Sequence, residues 1–433
     1  MLFEEYVDLI AYETGFPEMN EEIRLGARKG LMFTNSSREP RFGSELRATT
    51  GAIKNAKAAS GSFPVVVYAP GFGAQSFENS VLCEYLASHG FIVVASPSMG
   101  VKSRAMTFDQ AGIEAQARDI EFLISFMHNY PNADPSRLVV MGYSWGGMSN
   151  TFGMMRNDNV KAIVCLDGSI RYFPKFFKDS PYHDWPKPPV PLLFLASPVS
   201  LEDLDTLKAE LAEGFYNSLK YSDAYLFTFN ALTHENFCST GIKLQERDPN
   251  SFLFNEGSQG EVSHSYEMLC RYVLNFLNAY LKNDPQAAAF LKNLPEQNGI
   301  ASRTVVKQYK VARKPPPTLF EFAAMLKETG FDKVEQTYAG VKKHFPDFTL
   351  KEDEVTNWVG EILSLGKIKE ASEVAKLNGG LYPNSSGAYS SLAVAYVNNG
   401  EKGLAIRAYE KALELSPENA FIIDAIRKLK EQK

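Results

Sequence analysis

The sequence predicts an α/β protein in two parts: a doubly wound, mostly parallel sheet with helices on both faces, then a small all-α helical repeat domain. Three observations carry this. Between about residues 63 and 230, short apolar runs alternate with amphipathic stretches of helical period. A basic, proline-rich stretch, Val311 to Thr318 (VARKPPPT), then breaks the pattern, because three successive prolines continue neither a helix nor a central strand. Beyond it the periodicity is helical only. These breaks give residues 1–312 as the sheet domain, 313–318 as a linker and 319–433 as the helical domain.

Taken in order, the candidate strands are Phe63 to Ala69, Phe91 to Ala95, Arg137 to Gly142, Ala162 to Leu166, Val190 to Ala196 and Ala224 to Phe229. Each is a short apolar run, as expected of strands buried on both faces. Helices are expected at Phe77 to Ser88, Ala111 to Met127, Gly146 to Met155 and Leu201 to Leu219. The first of these ends in SHG, with Gly90 where a helix stop should place it. A last helix of the sheet domain, Ser265 to Leu281, has apolar residues at helical spacing and should pack on the sheet.

In the helical domain, Tyr389, Leu392, Ala393, Tyr396, Ala405, Tyr409, Ala412 and Pro417 stand at fixed offsets. They resemble the tetratricopeptide repeat, with Tyr389 where Trp is usual. A looser unit ends at Pro383, 34 residues before Pro417, and a third ends near Pro346. One helical hairpin cannot bury its apolar face alone, so such units stack, and the resemblance implies a protein or peptide partner on their concave face.

Composition narrows the function classes. At 433 residues the chain is too long for one ordinary core. Its 45 Lys and Arg against 51 Asp and Glu give a net charge of -6, which repels a phosphate backbone and excludes nucleic acid as the expected partner. Cys83, Cys165, Cys238 and Cys270 are far apart and match no metal-ligand spacing, so they read as buried thiols, with no metal or organic cofactor expected. No apolar stretch is long enough to be a transmembrane segment, and MLFEEYVDLI has neither a basic n-region nor a cleavage site.

The chemistry centres on Arg137 to Met148 (RLVVMGYSWGGM): a strand, then Gly-Tyr-Ser-Trp-Gly, then a helix start. In a G-x-S-x-G elbow the serine sits on a strained strand-to-helix turn, and the flanking glycines admit neighbouring backbone. The pentapeptide alone is weak, but strand before, helix after and the extra Gly147 make Ser144 a candidate nucleophile rather than a turn serine. A serine nucleophile needs a base and a group orienting that base, here expected in the order Ser, acid, His. His183, His234 and His264 follow Ser144 within the domain. His234 lies just past the last strand, at the carboxyl edge to which the elbow points, whereas His264 opens a helix and His183 lies in an aromatic excursion. For the acid, Asp167 ends the strand AIVCLD at the same edge; Glu202, Asp203 and Asp205 after the next strand are its rivals.

These stretches, with FPVVVYAPGFGAQSFENSVLCEYLASHGFIVVASPSMG and THENF, resemble the platelet-activating-factor acetylhydrolase, chlorophyllase and dienelactone-hydrolase branch of the α/β-hydrolase superfamily, over roughly residues 61 to 240. The resemblance implies an α/β-hydrolase fold with Asp167 as acid and His234 as base. It also implies an oxyanion hole formed by the backbone N–H groups of Phe72 and Trp145, each worth on the order of 3 kcal/mol in such sites. Two departures stand out. Pro70 replaces a usual His before Gly71, which alters the rim of the hole. The relatives also carry one or two strands upstream of FPVVVYA, whereas Met1 to Ser60 reads as helical and polar. That shortfall leaves two compartments open: periplasmic or secreted if Met1 is an internal start, cytoplasmic otherwise.

Ile170 to Trp185 (IRYFPKFFKDSPYHDW) is rich in aromatic side chains and reads as an acyl-binding wall or lid, with a packed loop sealing the core as the alternative. The expected function is therefore a serine esterase, lipase-like or acetylhydrolase-like, acting on a small or lipid-like ester through an acyl-enzyme. The alternatives are a serine peptidase on the same fold, and an interaction protein whose repeats act while the hydrolase is vestigial.

Overall fold

The computed structural model describes residues 1–13, 20–31, 39–180, 190–199, 215–247, 257–301 and 303–431. The chain divides into two compact units, Met1–Arg313 and Lys314–Lys433.

Among the described residues the first unit has seven strands: β1 (Phe63–Ala69), β2 (Ile92–Ala95), β3 (Ala133–Tyr143), β4 (Val160–Leu166), β5 (Leu192–Ala196), β6 (Ala224–Phe229) and β7 (Val305–Lys310). Their spatial order is β2-β1-β3-β4-β5-β6-β7, and all pairs are parallel except the antiparallel β6–β7 pair. Because side chains alternate along a strand, Val65 and Val67 of β1 enter one core while Val66 and Tyr68 enter the other. Helices α1 (Ser80–Ser88) and α4 (Gln259–Leu281) cover the Tyr68 face, and α2 (Gln110–Met127) and α3 (Trp145–Met155) cover the opposite face. This burial on both faces is why the strands read as continuous Val, Ile and Leu runs. Helix α4 is capped by Ser258, whose hydroxyl accepts the Glu261 N–H while Glu261 reaches back to the Ser258 N–H.

The six candidate strands are all present, within a few residues at their ends. The sheet also holds β7, which the sequence reading missed, so the helix ending at Leu281 is not the last element of this unit; α5 (Pro285–Lys292) and β7 follow it. The reason is β7's position. In this edge strand VVKQYK keeps Val305 buried, exposes Val306 and Gln308 and leaves two half-buried lysines, giving too short an apolar pattern to register. Helix α4 starts six residues before the expected Ser265. Of the helix expected at Leu201 to Leu219, residues 215–219 lie within the described residues, and Phe215–Ser218 is helical while Leu219 is not. Among the described residues no strand of the sheet precedes Phe63. Instead Phe3, Val7 and Ile10 pack with Leu46 and Phe77 in a small separate core.

The second unit is helical throughout: α6 (Leu319–Thr329), α7 (Val334–His344), α8 (Glu352–Ser364), α9 (Ile368–Leu381), α10 (Ser386–Asn398), α11 (Lys402–Leu415) and α12 (Ala420–Glu431). Helices α8 and α10 begin 34 residues apart, as do α9 and α11 and also α7 and α9. Two cores run through it, one around Phe322, Val355 and Val374 and one around Ala405, Tyr409 and Ile422. Its first helix is capped by Thr318, directly after the prolines.

Candidate functional site

The strand order reverses at β1 and β3: the chain leaves β1 for β2 on one side and β3 for β4 on the other. In an open parallel sheet this is where the loops at the carboxyl ends of the strands part and leave a crevice. Four such loops carry the candidate residues, namely Pro70 to Phe72 after β1, Ser144 after β3, Asp167 after β4 and His234 after β6.

The elbow follows from two close approaches. A Cβ at Gly146 would lie 2.1 Å from the Ala69 carbonyl oxygen, and one at Gly142 would lie 2.5 Å from Asn150 Nδ2, so no larger residue fits where β3 turns into α3. Ser144 itself has φ 52° and ψ -118°, a conformation a non-glycine residue holds only when its surroundings enforce it. Its N–H donates to the Leu166 carbonyl at 3.0 Å and its own carbonyl accepts from Gly147 and Ser169. Asp167, one residue past β4, has φ 43° and is fully buried. His234 opens a short 3-10 turn, His234–Phe237, pinned by Thr233 N–H and hydroxyl bonds to Asn236 Oδ1.

These three side chains form one chain of hydrogen bonds. His234 Nε2 lies 2.9 Å from Ser144 Oγ, and His234 Nδ1 lies 2.8 Å from Asp167 Oδ2. The Asp167 carboxylate further accepts from the Ser197 hydroxyl at 2.8 Å, the Ser197 N–H at 3.2 Å and the Tyr172 hydroxyl at 3.3 Å, with Arg171 at 3.9 Å. Burial alone would push the Asp167 carboxyl up. The hydrogen bond and charge of His234, then Arg171 and Ser197, together hold it below its ordinary value. For His234, desolvation opposes the charged form, yet Asp167, with Glu235 and Glu78, raises it above 6.5.

The other candidates fall elsewhere. His264 lies on α4, exposed and 3.9 Å from Glu267. His183, Glu202, Asp203 and Asp205 lie outside the described residues. Phe72 and Trp145 both border the crevice at Ser144, and among the described residues neither backbone N–H is taken by a protein acceptor. Around Ser144 and His234 the rings of Phe72, Phe108, Trp145, Tyr172 and Phe173 line a cleft of about 270 Å³. A larger hollow, about 510 Å³, beside Phe3, Thr49 and Lys243 contains none of these groups. Of the aromatic excursion, Ile170 and Phe177 are buried in the core while Phe173 borders the cleft; residues 181–185 lie outside the described residues.

Sequence reasoning missed Ser197, Phe108 and Tyr143, and it placed Arg171 and Tyr172 in the aromatic excursion without their role at Asp167. Tyr143 packs on the His234 ring at 5.1 Å between centroids. Its place next to the nucleophile was a usable signal, whereas nothing local marked Phe108. Among the described residues no cluster of three or more His, Cys, Asp or Glu is arranged to hold a metal ion, and no helix is long and apolar enough to cross a membrane.

Several known proteins are similar to parts of this chain. A chlorophyllase family model matches residues 48–163, a segment that contains Ser144 and ends before Asp167 and His234. Cutinase 2 of Thermobifida cellulosilytica is 28% identical over 228 residues, covering 50% of this chain and 76% of that protein. Cutinase cut1 of Thermobifida fusca is also 28% identical over 228 residues, and the match spans 62% of its length, less than two thirds. Among solved structures, a ferulic acid esterase from Streptomyces cinnamoneus aligns with a TM-score of 0.45 at 21% identity, over 59% of this chain and 76% of that one. The sheet topology and the sequence similarities together support an ester hydrolase of the α/β-hydrolase type.

Proposed function

We propose that this protein hydrolyses carboxylic esters through an acyl-enzyme, with Ser144 as nucleophile, His234 as base and then acid, and Asp167 holding the imidazole in the useful tautomer. The observation that carries this is the unbroken run Ser144 Oγ, His234, Asp167 at 2.9 and 2.8 Å, opening into an aromatic-lined cleft. In the first step Ser144 Oγ attacks the ester carbonyl carbon while His234 Nε2 takes its proton. The tetrahedral oxygen receives the N–H groups of Phe72 and Trp145, and the alkoxide leaves with the proton from His234. Water repeats the sequence on the acyl-enzyme. Buried Asp167 favours the imidazolium in each transition state without taking the proton.

The cleft walls are apolar and the relatives are cutinases, which favours an apolar acyl group over a charged one. The test is a comparison of p-nitrophenyl acetate and butyrate with an aminoacyl p-nitroanilide. Turnover of the esters with little of the anilide supports the proposal. Preference for the anilide replaces it with a peptidase.

For the second unit, we infer a tetratricopeptide-like stack that takes a peptide or protein partner. The 34-residue offsets between α7, α9 and α11 and between α8 and α10 support this, as do the buried Ala405, Tyr409 and Ala412 at the characteristic positions. A partner recovered by Lys314–Lys433 and lost on changing residues of its concave face tests it.

A further inference from the structure

Glu78 is a carboxylate buried in the loop between β1 and α1, and the mechanism above makes no use of it. Its Oε2 accepts the Gly71 N–H at 2.8 Å and the Tyr68 hydroxyl at 3.2 Å. Gly71 directly precedes Phe72, so this bond fixes the peptide plane next to a proposed oxyanion donor. The space there is filled: a Cβ on Gly71 would sit 3.1 Å from Glu78 Oε1 and 3.2 Å from the Tyr143 ring, the ring that packs on His234. The main chain of the same residue faces the other way. Its carbonyl accepts from Ser239 Oγ at 3.0 Å and from the Thr240 N–H and hydroxyl at 3.0 and 2.8 Å, in the segment that follows His234. Asn79 adds to this, donating to the Phe237 carbonyl and accepting the Ser239 N–H and the Tyr266 hydroxyl.

We propose that Glu78 is a positioning residue, tying the loop that presents the Phe72 N–H to the loop that carries His234, so that the oxyanion donor and the base are held at a fixed separation. This rests on the ester-hydrolase reading above. A buried carboxylate is costly unless it is paired and hydrogen-bonded. Here the carboxylate has one backbone N–H and one hydroxyl as its partners. The titratable groups that interact with Glu78 are Tyr68 on β1, Cys83 on α1, Tyr143 on β3, and His234 and Cys238 on the loop after β6. Burial pushes Glu78 up to about 7, against the Gly71 and Tyr68 hydrogen bonds and the attraction of His234. Its charge in turn helps to raise His234.

Two variants separate the roles. Glu78→Met removes the acceptor at similar volume, and Glu78→Gln keeps an acceptor for the Gly71 N–H but no charge. With p-nitrophenyl butyrate as substrate and phenylboronic acid as a tetrahedral adduct former, Glu78→Met should lower kcat and weaken the boronate by about 10- to 100-fold, with KM within about threefold, because only the transition-state geometry is disturbed. Glu78→Gln should stay within about threefold on both, while the acid limb of its kcat/KM profile moves to lower pH as His234 loses a nearby negative charge. A Met variant with wild-type kcat and boronate affinity overturns the proposal, even if its Tm falls, and so does a Gln variant that loses as much as Met. If the Met variant does not fold, a Gln variant whose kcat or boronate affinity falls by about 10-fold or more overturns it, because that variant keeps the acceptor for the Gly71 N–H. Wild-type protein that neither turns over the ester nor binds the boronate overturns the ester-hydrolase reading instead.

Discussion

The two sides of the candidate site are built differently. On the nucleophile side, one short stretch of sequence carries the turn: Gly142 and Gly146 admit the backbone of α3 and β1, and Ser144 between them takes a strained φ of 52°, with Leu166 and Ser169 bonding its main chain. On the acid and base side, Asp167 and His234 are 67 residues apart and meet only because β4 and β6 end at the same edge. The residues of the first half are thus consecutive in sequence, whereas the second brings distant residues together through the register of a whole sheet. A change near Ser144 should act through strain or chemistry at one point, whereas a change near His234 should act through alignment.

The largest effect expected from breaking this comparison is at the nucleophile. Ser144→Ala should fold as the wild type yet lose kcat by about 10³- to 10⁶-fold, since only binding and oxyanion terms remain. Asp167→Asn should follow, with a loss of up to about 10⁴-fold, because the amide favours the wrong imidazole tautomer. Near-wild-type turnover of either variant on p-nitrophenyl butyrate removes that residue from the mechanism.

Gly146→Ala sharpens the contrast from the structural side. Its Cβ would meet the Ala69 carbonyl at 2.1 Å, backbone that cannot step aside, so the variant should lose about 3 kcal/mol or more of stability. A thermal melt unchanged from wild type shows that the elbow is looser than the geometry requires.

The pH dependence reports on the other side. His234 must be neutral to act as base, and its folded value is raised above 6.5, so the acid limb of kcat/KM should lie above pH 6.5. Removing the Asp167 charge leaves desolvation to dominate, and the limb of the residual Asp167→Asn activity should move to lower pH. A shift to higher pH contradicts the stated causes. The stability linkage carries opposite signs for the two partners. The raised His234 contributes stability that is present below 6.5 and lost as pH rises through its folded value, while the lowered Asp167 contributes stability present above 3.8 and lost on acidification.

The smallest effect concerns the second unit. Deleting everything after Pro317 should leave small-ester kcat and Tm nearly unchanged, because solenoid repeats contact mainly their neighbours. A collapse of both makes the helical unit part of the hydrolase fold.

What the sequence showed follows the same divide between local and distant. Strands β1 to β6 were legible because burial on both faces leaves unbroken apolar runs, and the Ser144 elbow because five consecutive residues carry it. β7 was not, since half of an edge strand faces outward and its lysines mask the pattern. Asp167 and His234 could be placed at the correct edge, but their pairing over rivals such as Asp203 came from a resemblance, not from spacing. Arg171 and Tyr172 fell within the aromatic excursion Ile170 to Trp185, but their role at the Asp167 carboxylate had no sequence signature, and Ser197, 30 residues away, had none at all until the sheet brings it there. Phe108 was hidden for a similar reason, as it reaches the cleft from the loop before α2.

The central claim is that Ser144 is a nucleophile activated by His234 and Asp167. Labelling with a fluorophosphonate, followed by peptide mapping, tests it most directly, because the probe reacts only with a serine that is deprotonated on demand and served by an oxyanion hole. The account predicts a single adduct on Ser144, absent in Ser144→Ala and strongly slowed in Asp167→Asn. No adduct on the folded wild-type protein, or an adduct on another serine that persists in Ser144→Ala, would contradict it.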